Sequence, residues 1–206
     1  MNVARTLLLV RHGESEANAA GEFTGTRDVP LTARGREQAR AAGRRLLEHG
    51  LYPDAAFCST RSRTAETAGL ILDALGRPGL AVECAAALDE RDYGALTGLT
   101  HVEAEVRWGA DQVRVWRRSY ATAPPGGESI RDTLARVAPY HLTRVLPAAM
   151  RGTALVVAHG NSLRALVAGI EALHADAIAR LELPTGSVRV YRFAPDASVE
   201  AREVVT

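Results

Sequence analysis

The chain has 206 residues, 47% of them hydrophobic, which is enough to bury a sizeable core and makes one domain over residues 1–206 the natural expectation. Its net charge of +1 supplies no field that would draw it to nucleic acid or to a membrane, so a small molecule is the expected partner. All 25 basic residues are arginine, which excludes Schiff-base lysine chemistry and the phosphate-binding lysine of a P-loop.

Thr6 to Val10 is an apolar run that reads as a buried, parallel strand, and such strands deliver functional groups at their carboxyl ends. This one delivers Arg11 and His12. Arg11 interrupts the run so early that neither a signal peptide nor a membrane span is expected, and a cytoplasmic protein follows. Gly13-Glu14-Ser15 turns into a short helix holding Glu16, Ala17 and Asn18, and Gly21 to Gly25 is a loop able to lay backbone N–H groups against an anion. Thr32 is placed to cap a helix whose apolar face carries Ala39, Ala42, Leu46 and Leu47, and Gly50 closes it. A second strand spans Asp54 to Ser59, and from Ser59 a helix runs to about Gly76. Ala81 to Cys84 is a short third strand. Cys58 and Cys84 stand isolated, without CxxC spacing, and read as reduced core thiols.

The charged, glycine-punctuated stretch Leu88 to Leu99 precedes two helical stretches, Glu103 to Trp108 and Asp111 to Arg118, whose tryptophans read as packing groups. Pro124-Pro125-Gly126-Gly127 is too short for a linker and reads as a loop. Ser129 then caps a helix running towards Leu146, bent or broken at Pro139. A fourth strand, Thr153 to Ala158, runs into His159-Gly160 just as the first runs into His12-Gly13. A helix from Ser162 to Ala172 and two closing strands, Val188 to Phe193 and Val199 to Val204, complete the chain. The alternation of strands and helices implies an α/β sandwich without internal repeats.

Two strands ending in His-Gly suggest one site with two imidazoles. His12-Gly13-Glu14 matches half of a zinc deaminase signature, but no PCxxC follows, and HExxH, GxSxG and GxGxxG are absent, so no metal is expected. Phosphoryl transfer suits the groups better. A neutral imidazole can attack phosphorus and hold the phosphoryl group covalently, while arginines, a second imidazole and backbone amides stabilise the charge on its equatorial oxygens. The planar donor fork of arginine matches that demand. His49, His141 and His174 lie in ordinary helical context and carry no expected role.

Several motifs carry a resemblance across nearly the whole chain. They are Arg11-His12-Gly13-Glu14-Ser15 with Asn18, Phe23-Thr24-Gly25, Pro30 to Gly35, Ser59 to Thr67 around Arg63, and Ala158 to Arg164. Together they resemble the histidine phosphatase superfamily. Leu88 to Leu99, and Trp116 to Tyr120 ahead of Pro124 to Ser129, are similar to its cofactor-dependent phosphoglycerate mutases. The resemblance implies a three-layer α/β/α sandwich with a mostly parallel central sheet.

The resemblance further implies that His12 becomes a phosphohistidine facing His159, with Arg11 and Arg63 holding phosphoryl oxygens and Ser15, Asn18, Thr24, Gly25 and Gly160 nearby. Glu90 would exchange protons with the substrate hydroxyl. Arg91, Tyr93, His101, Arg117, Arg118 and Asn161 would bind the rest of a small phosphorylated carboxylic acid. The implied reaction interconverts 3-phosphoglycerate and 2-phosphoglycerate, primed by 2,3-bisphosphoglycerate, in a homodimer or homotetramer. The alternative is a phosphatase, or a mutase acting on another phosphate or phosphonate ester.

Four features depart from the mutase pattern, and three of them, Thr26, His101 and the short tail, feed that alternative. Thr26 stands where tryptophan is usual, and His101 where a substrate-binding lysine is usual. The segment between Arg118 and Ser129 is short, and the chain stops at Thr206 where longer members carry a covering tail. Less cover admits water, which favours hydrolysis of a phosphohistidine.

Overall fold

A computed structural model describes residues 5–205. The expectations about a leader at the amino terminus and a tail at Thr206 fall on or beyond residues outside those described. Six strands form one sheet: β1 (Thr6–Arg11), β2 (Ala55–Cys58), β3 (Val82–Cys84), β4 (Thr153–Ala158), β5 (Val188–Phe193) and β6 (Val199–Val205). Their order is β3-β2-β4-β1-β5-β6, with β3, β2, β4 and β1 parallel and β5 and β6 antiparallel. Leu7 to Val10 and Ala154 to Ala158 are uniformly apolar because these strands occupy the centre of the sheet and are covered on both faces.

The helices are α1 (Glu16–Ala19), α2 (Ala33–Glu48), α3 (Ser62–Ala74), α4 (His101–Trp108), α5 (Ala110–Arg118), α6 (Ile130–Tyr140), α7 (Leu146–Arg151), α8 (Gly160–Ile170) and α9 (Ala175–Arg180). On one face, Leu46 of α2 and Ile71 and Leu72 of α3 pack on Leu8, Val10, Leu155 and Val157. On the other, Val137 of α6, Ala149 of α7 and Leu166 of α8 pack on Leu7, Leu9 and Val156. The expected three layers follow, and each fully buried aliphatic side chain contributes about 1.5–3 kcal/mol. Among the described residues, no helix is long and apolar enough to cross a membrane.

The register decides where the chemistry lies. Parallel pairing sets Arg11 opposite Ala158, and the His12 N–H donates to the Ala158 carbonyl at 3.0 Å. His12 and His159 therefore leave the sheet side by side. Gly13 is needed at this exit because an added Cβ would lie 2.0 Å from the Gly35 carbonyl oxygen in the first turn of α2. Thr32 caps that turn by accepting from the Gly35 N–H at 3.0 Å, as its position predicts.

Several expected boundaries move. α8 begins at Gly160, two residues before Ser162, because the Ser162 hydroxyl accepts from the His159 N–H at 3.1 Å and ties the cap to the first turn. The helix after Ser129 is not broken at Pro139; instead a wider π turn, His141–Val145, follows it and leads into α7. Pro139 and Pro147, each lacking an N–H, bracket this turn. α9 was not expected: Ile178 is its one buried residue, too little to make a sequence pattern.

The reading of the cysteines as free core thiols holds for Cys58, which is buried, and is corrected for Cys84. Cys58 and Cys84 are register partners on β2 and β3, their sulfurs are 3.2 Å apart, and Cys84 is exposed. A pairing between strands 26 positions apart leaves no CxxC-like trace in the sequence.

Candidate active site

Two imidazoles lie at the carboxyl ends of β1 and β4, with ring centroids 5.0 Å apart and planes inclined at 68°. Both are buried, His12 at 3% and His159 at 0% exposure. His12 Nδ1 is 2.6 Å from the Gly13 carbonyl oxygen. A carbonyl only accepts, so Nδ1 carries the proton and Nε2 keeps its lone pair. Burial, reinforced by Arg63 and Arg11, holds the pKa of His12 well below the usual histidine value, so the ring is neutral near pH 7.

His159 Nε2 lies 2.7 Å from the Ser59 hydroxyl, which lies 2.8 Å from the Thr64 hydroxyl; Thr64 in turn donates to the Arg61 carbonyl at 2.8 Å. With the Thr64 proton directed to that carbonyl, Ser59 donates to Thr64 and accepts from His159 Nε2–H. His159 Nδ1, buried and without a partner, is then a bare acceptor. Burial first, then His12, Arg63 and Arg11, hold its pKa well below the usual value.

Arg63 enters in the first turn of α3 and is 1% exposed; its Nη1 donates to the Arg27 carbonyl at 3.0 Å. Its Nε and Nη2 are buried without partners, as is Nε of Arg11, whose Nη1 is held by the Leu183 carbonyl at 2.6 Å. Orphaned buried donors of this kind cost about 1–3 kcal/mol each unless something accepts from them. Clustered around two neutral imidazoles, with the amino end of α8 at Gly160, they suit an anion with several oxygens.

Above them opens a cavity of about 180 Å³ lined by Arg11, Asn18, Thr24, Glu90, Tyr93, His101, Arg117, Arg118, Gly160 and Asn161. Ten expected site residues thus meet at one small, polar cavity. Glu90 Oε1 accepts from the N–H groups of Arg91 at 2.8 Å and Asn161 at 3.1 Å, leaving Oε2 outside both contacts. Asn161 Nδ2 donates to the Tyr93 hydroxyl at 2.8 Å.

Other expected ligands are placed differently. Ser15 is fully buried, and its hydroxyl caps α1 through Asn18, so it orients Asn18 and does not line the cavity. Arg91 is fully buried beneath the Tyr93 ring, 4.5 Å from its centroid, and donates to the Trp116 carbonyl; it supports the wall from behind. Gly25, in the left-handed region at φ 53°, packs against Thr97 behind the lining residues. Thr26 is exposed and also outside the lining. Arg118 faces the cavity but pairs with Glu182 at 2.6 Å. His101 sits edge-on to Phe23 with centroids 4.6 Å apart, and burial together with Arg117 lowers its pKa, so it brings no cation.

Ser59, Arg164 and Glu182 were not assigned roles from sequence. Arg164 lines the cavity, donating to Asn161 Oδ1 and the Leu181 carbonyl. Its place in the His-Gly-Asn-Ser-Leu-Arg run was the available signal, whereas Glu182 carries none. A further pair positions Glu90: Glu128 accepts from the Asp92 N–H and from Arg136, which also donates to the Glu90 carbonyl at 3.1 Å.

Comparison with known proteins agrees with this geometry. The pattern of the histidine phosphatase superfamily (branch 1) matches residues 7–204. A protein of Methylobacterium sp. (strain 4-46) named 2,3-bisphosphoglycerate-dependent phosphoglycerate mutase is 52% identical over 202 residues, covering 98% of this chain and 97% of that protein. A protein of the same name from Bradyrhizobium sp. (strain BTAi1 / ATCC BAA-1182) is 51% identical and covers 96% of each. Among solved structures, a mycobacterial glucosyl-3-phosphoglycerate phosphatase in complex with VO3 is 28% identical, with a TM-score of 0.80 over 98% of this chain and 97% of its own.

Proposed function

Because the chain belongs to the histidine phosphatase superfamily, branch 1, we propose that it is a phosphoglycerate mutase interconverting 3-phosphoglycerate and 2-phosphoglycerate through a phosphohistidine on His12. The observation that carries this reading is the set of buried, unpartnered donors of Arg11 and Arg63 beside His12, with Arg11 also lining the cavity that Glu90 lines. The name shared by the relatives at about 50% identity supplies the substrate. The donor set fits the phosphoryl groups of 2,3-bisphosphoglycerate, which supplies the phosphoryl group that loads His12.

His12 Nε2 attacks phosphorus, and the bond from phosphorus to the ester oxygen breaks. The leaving oxygen takes its proton from Glu90. Arg11, Arg63 and the Gly160 N–H hold the equatorial oxygens, and His159 Nδ1 accepts a hydrogen bond from a protonated oxygen of the arriving phosphoryl group. In the second half, Glu90 removes the proton from the other hydroxyl of the substrate, that oxygen attacks phosphorus, and the P–N bond breaks. Arg117, Arg164 and Asn161 face the carboxylate. In this reading the enzyme is one domain working in the cytoplasm, needs no metal because arginines neutralise the charge and backbone N–H groups help to hold it, and assembles as a homodimer or homotetramer like the family it resembles.

An enolase-coupled assay with the bisphosphorylated primer is expected to show turnover. Brief labelling with a phosphoryl donor should leave acid-labile phosphate, and His12→Ala should abolish both label and turnover. Absent isomerisation alongside fast phosphate release would replace the mutase with the second reading, a phosphatase. That reading draws on His101, which lacks the charge of the usual lysine, on the Glu182 pairing of Arg118, and on the phosphatase activity named for the solved relative.

A further inference from the structure

Outside the cavity, two thiols meet where β2 and β3 end. Cys58 and Cys84 are in register on adjacent strands, so their side chains share one face of the sheet. Neighbouring strands lie roughly 4.8 Å apart. That falls inside the range of about 4.4–6.8 Å over which Cα atoms accept a disulfide. The sulfurs, 3.2 Å apart, need only close by about 1.2 Å to reach bonding distance. Cys84 is exposed and offers an entry point, while burial pushes the Cys58 thiol up to about 12 and keeps it protonated until it reacts.

We propose that Cys58 and Cys84 form a reversible disulfide with an oxidant of the glutathione disulfide class, and that this bond acts on the active site through Ser59. Cys84 attacks the small disulfide, forming a mixed disulfide and releasing one glutathione thiol that takes up the Cys84 proton. Cys58 then attacks Cys84 Sγ, losing its proton to the second glutathione as that leaves. One disulfide is consumed, one is formed, and two glutathione thiols are released.

Both strands run directly into catalytic segments, which gives the bond its leverage. Cys58 precedes Ser59, the partner of His159, and the Thr64 hydroxyl lies beside both the Cys58 sulfur and Ser59. Cys84 precedes the turn Ala86–Leu88, whose carbonyls are held by Arg136, and then Asp89 and Glu90. The Ala85 N–H already ties this segment to the Cys58 carbonyl at 2.9 Å. Drawing the sulfurs together shifts the Ser59 and Glu90 supports against each other, and a displacement of this order costs up to about 100-fold in rate.

The bond itself stands apart from the mutase reading; its effect on turnover rests on it. Full-length reduced protein equilibrated with mixtures of oxidised and reduced glutathione is expected to lose two hydrogen atoms by intact mass and to protect both thiols from alkylation in denaturant. Dithiothreitol should restore both. Turnover should fall by roughly tenfold or more in the oxidised form, with weaker binding of inorganic phosphate by calorimetry, while Cys84→Ser keeps basal activity and ignores the oxidant. Two alkylatable thiols after equilibration, or a stable glutathione adduct on Cys84, would overturn the bond. A disulfide that leaves both kcat and phosphate binding unchanged would overturn the coupling. If the reduced protein shows no isomerisation, the mutase reading fails alone, because mass and phosphate binding still read the switch.

Discussion

His12 owes its tautomer to the Gly13 carbonyl, which fixes the proton on Nδ1, and its neutral ring to burial beside two arginines. His101, by contrast, lacks a partner that would charge it: desolvation and Arg117 both disfavour the imidazolium. Replacing it with lysine, whose longer stem carries the charge further into the cavity, is expected to lower the KM for phosphoglycerate by about tenfold, the worth of one charge-assisted hydrogen bond. Weaker binding in His101→Lys would contradict this view of the position. Glu182 holds Arg118 at 2.6 Å, and under the proposed function it competes with the substrate carboxylate for that cation. Because both partners are partly exposed, the competition is modest, and Glu182→Gln should lower KM by no more than about fivefold with kcat unchanged. A fall in kcat would mean that Glu182 does more than occupy Arg118.

At the scale of elements, the site depends on how closely the β1 exit approaches α2. A Cβ at Gly35 would lie 2.0 Å from the Glu14 carbonyl oxygen, and backbone cannot step aside as a flexible side chain can. Gly35→Ala is therefore expected to destabilise the fold by about 1–3 kcal/mol, seen as a fall in Tm of roughly 2–4 °C for each kcal/mol. It should also slow phosphorylation of His12, because Glu14 follows directly on the His12-Gly13 turn. Wild-type Tm in this variant would show that α2 can slide. The Glu128–Arg136 pair does a similar service for the segment from Ala86 to Asp92, tying its backbone to α6.

Over the whole molecule, three imidazoles are buried and neutral: His12, His159 and His141, the last pushed down to about 4 by burial. The unfolded chain protonates each near pH 6.5, whereas the folded chain does so only at lower pH. Below about pH 6.5 the unfolded state therefore binds more protons, and stability falls with falling pH by up to about 1.4 kcal/mol per pH unit for each imidazole. The His141 share ends near pH 4, where its folded form also protonates. Urea midpoints should hold steady from about pH 8 to about pH 7 and drop between about pH 6.5 and about pH 4.5. A flat midpoint across that lower window would mean that these rings are solvated or already charged.

The apolar runs of β1 and β4, the capping positions of Thr32 and Ser129, and the chemistry of two His-Gly strand ends were legible in the sequence, because each is encoded within a few neighbouring residues. So were the layered architecture and the phosphate-handling class of the site. What only the tertiary structure decided depends on which distant segments meet. Parallel register made neighbours of His12 and His159; strand pairing joined Cys58 to Cys84; and helix packing buried His141. Ser15 and Arg91 were turned from ligands into supports, and Arg118 was paired with Glu182. A residue's chemistry is local, but its protonation, exposure and partner are set by neighbours that arrive from elsewhere in the chain.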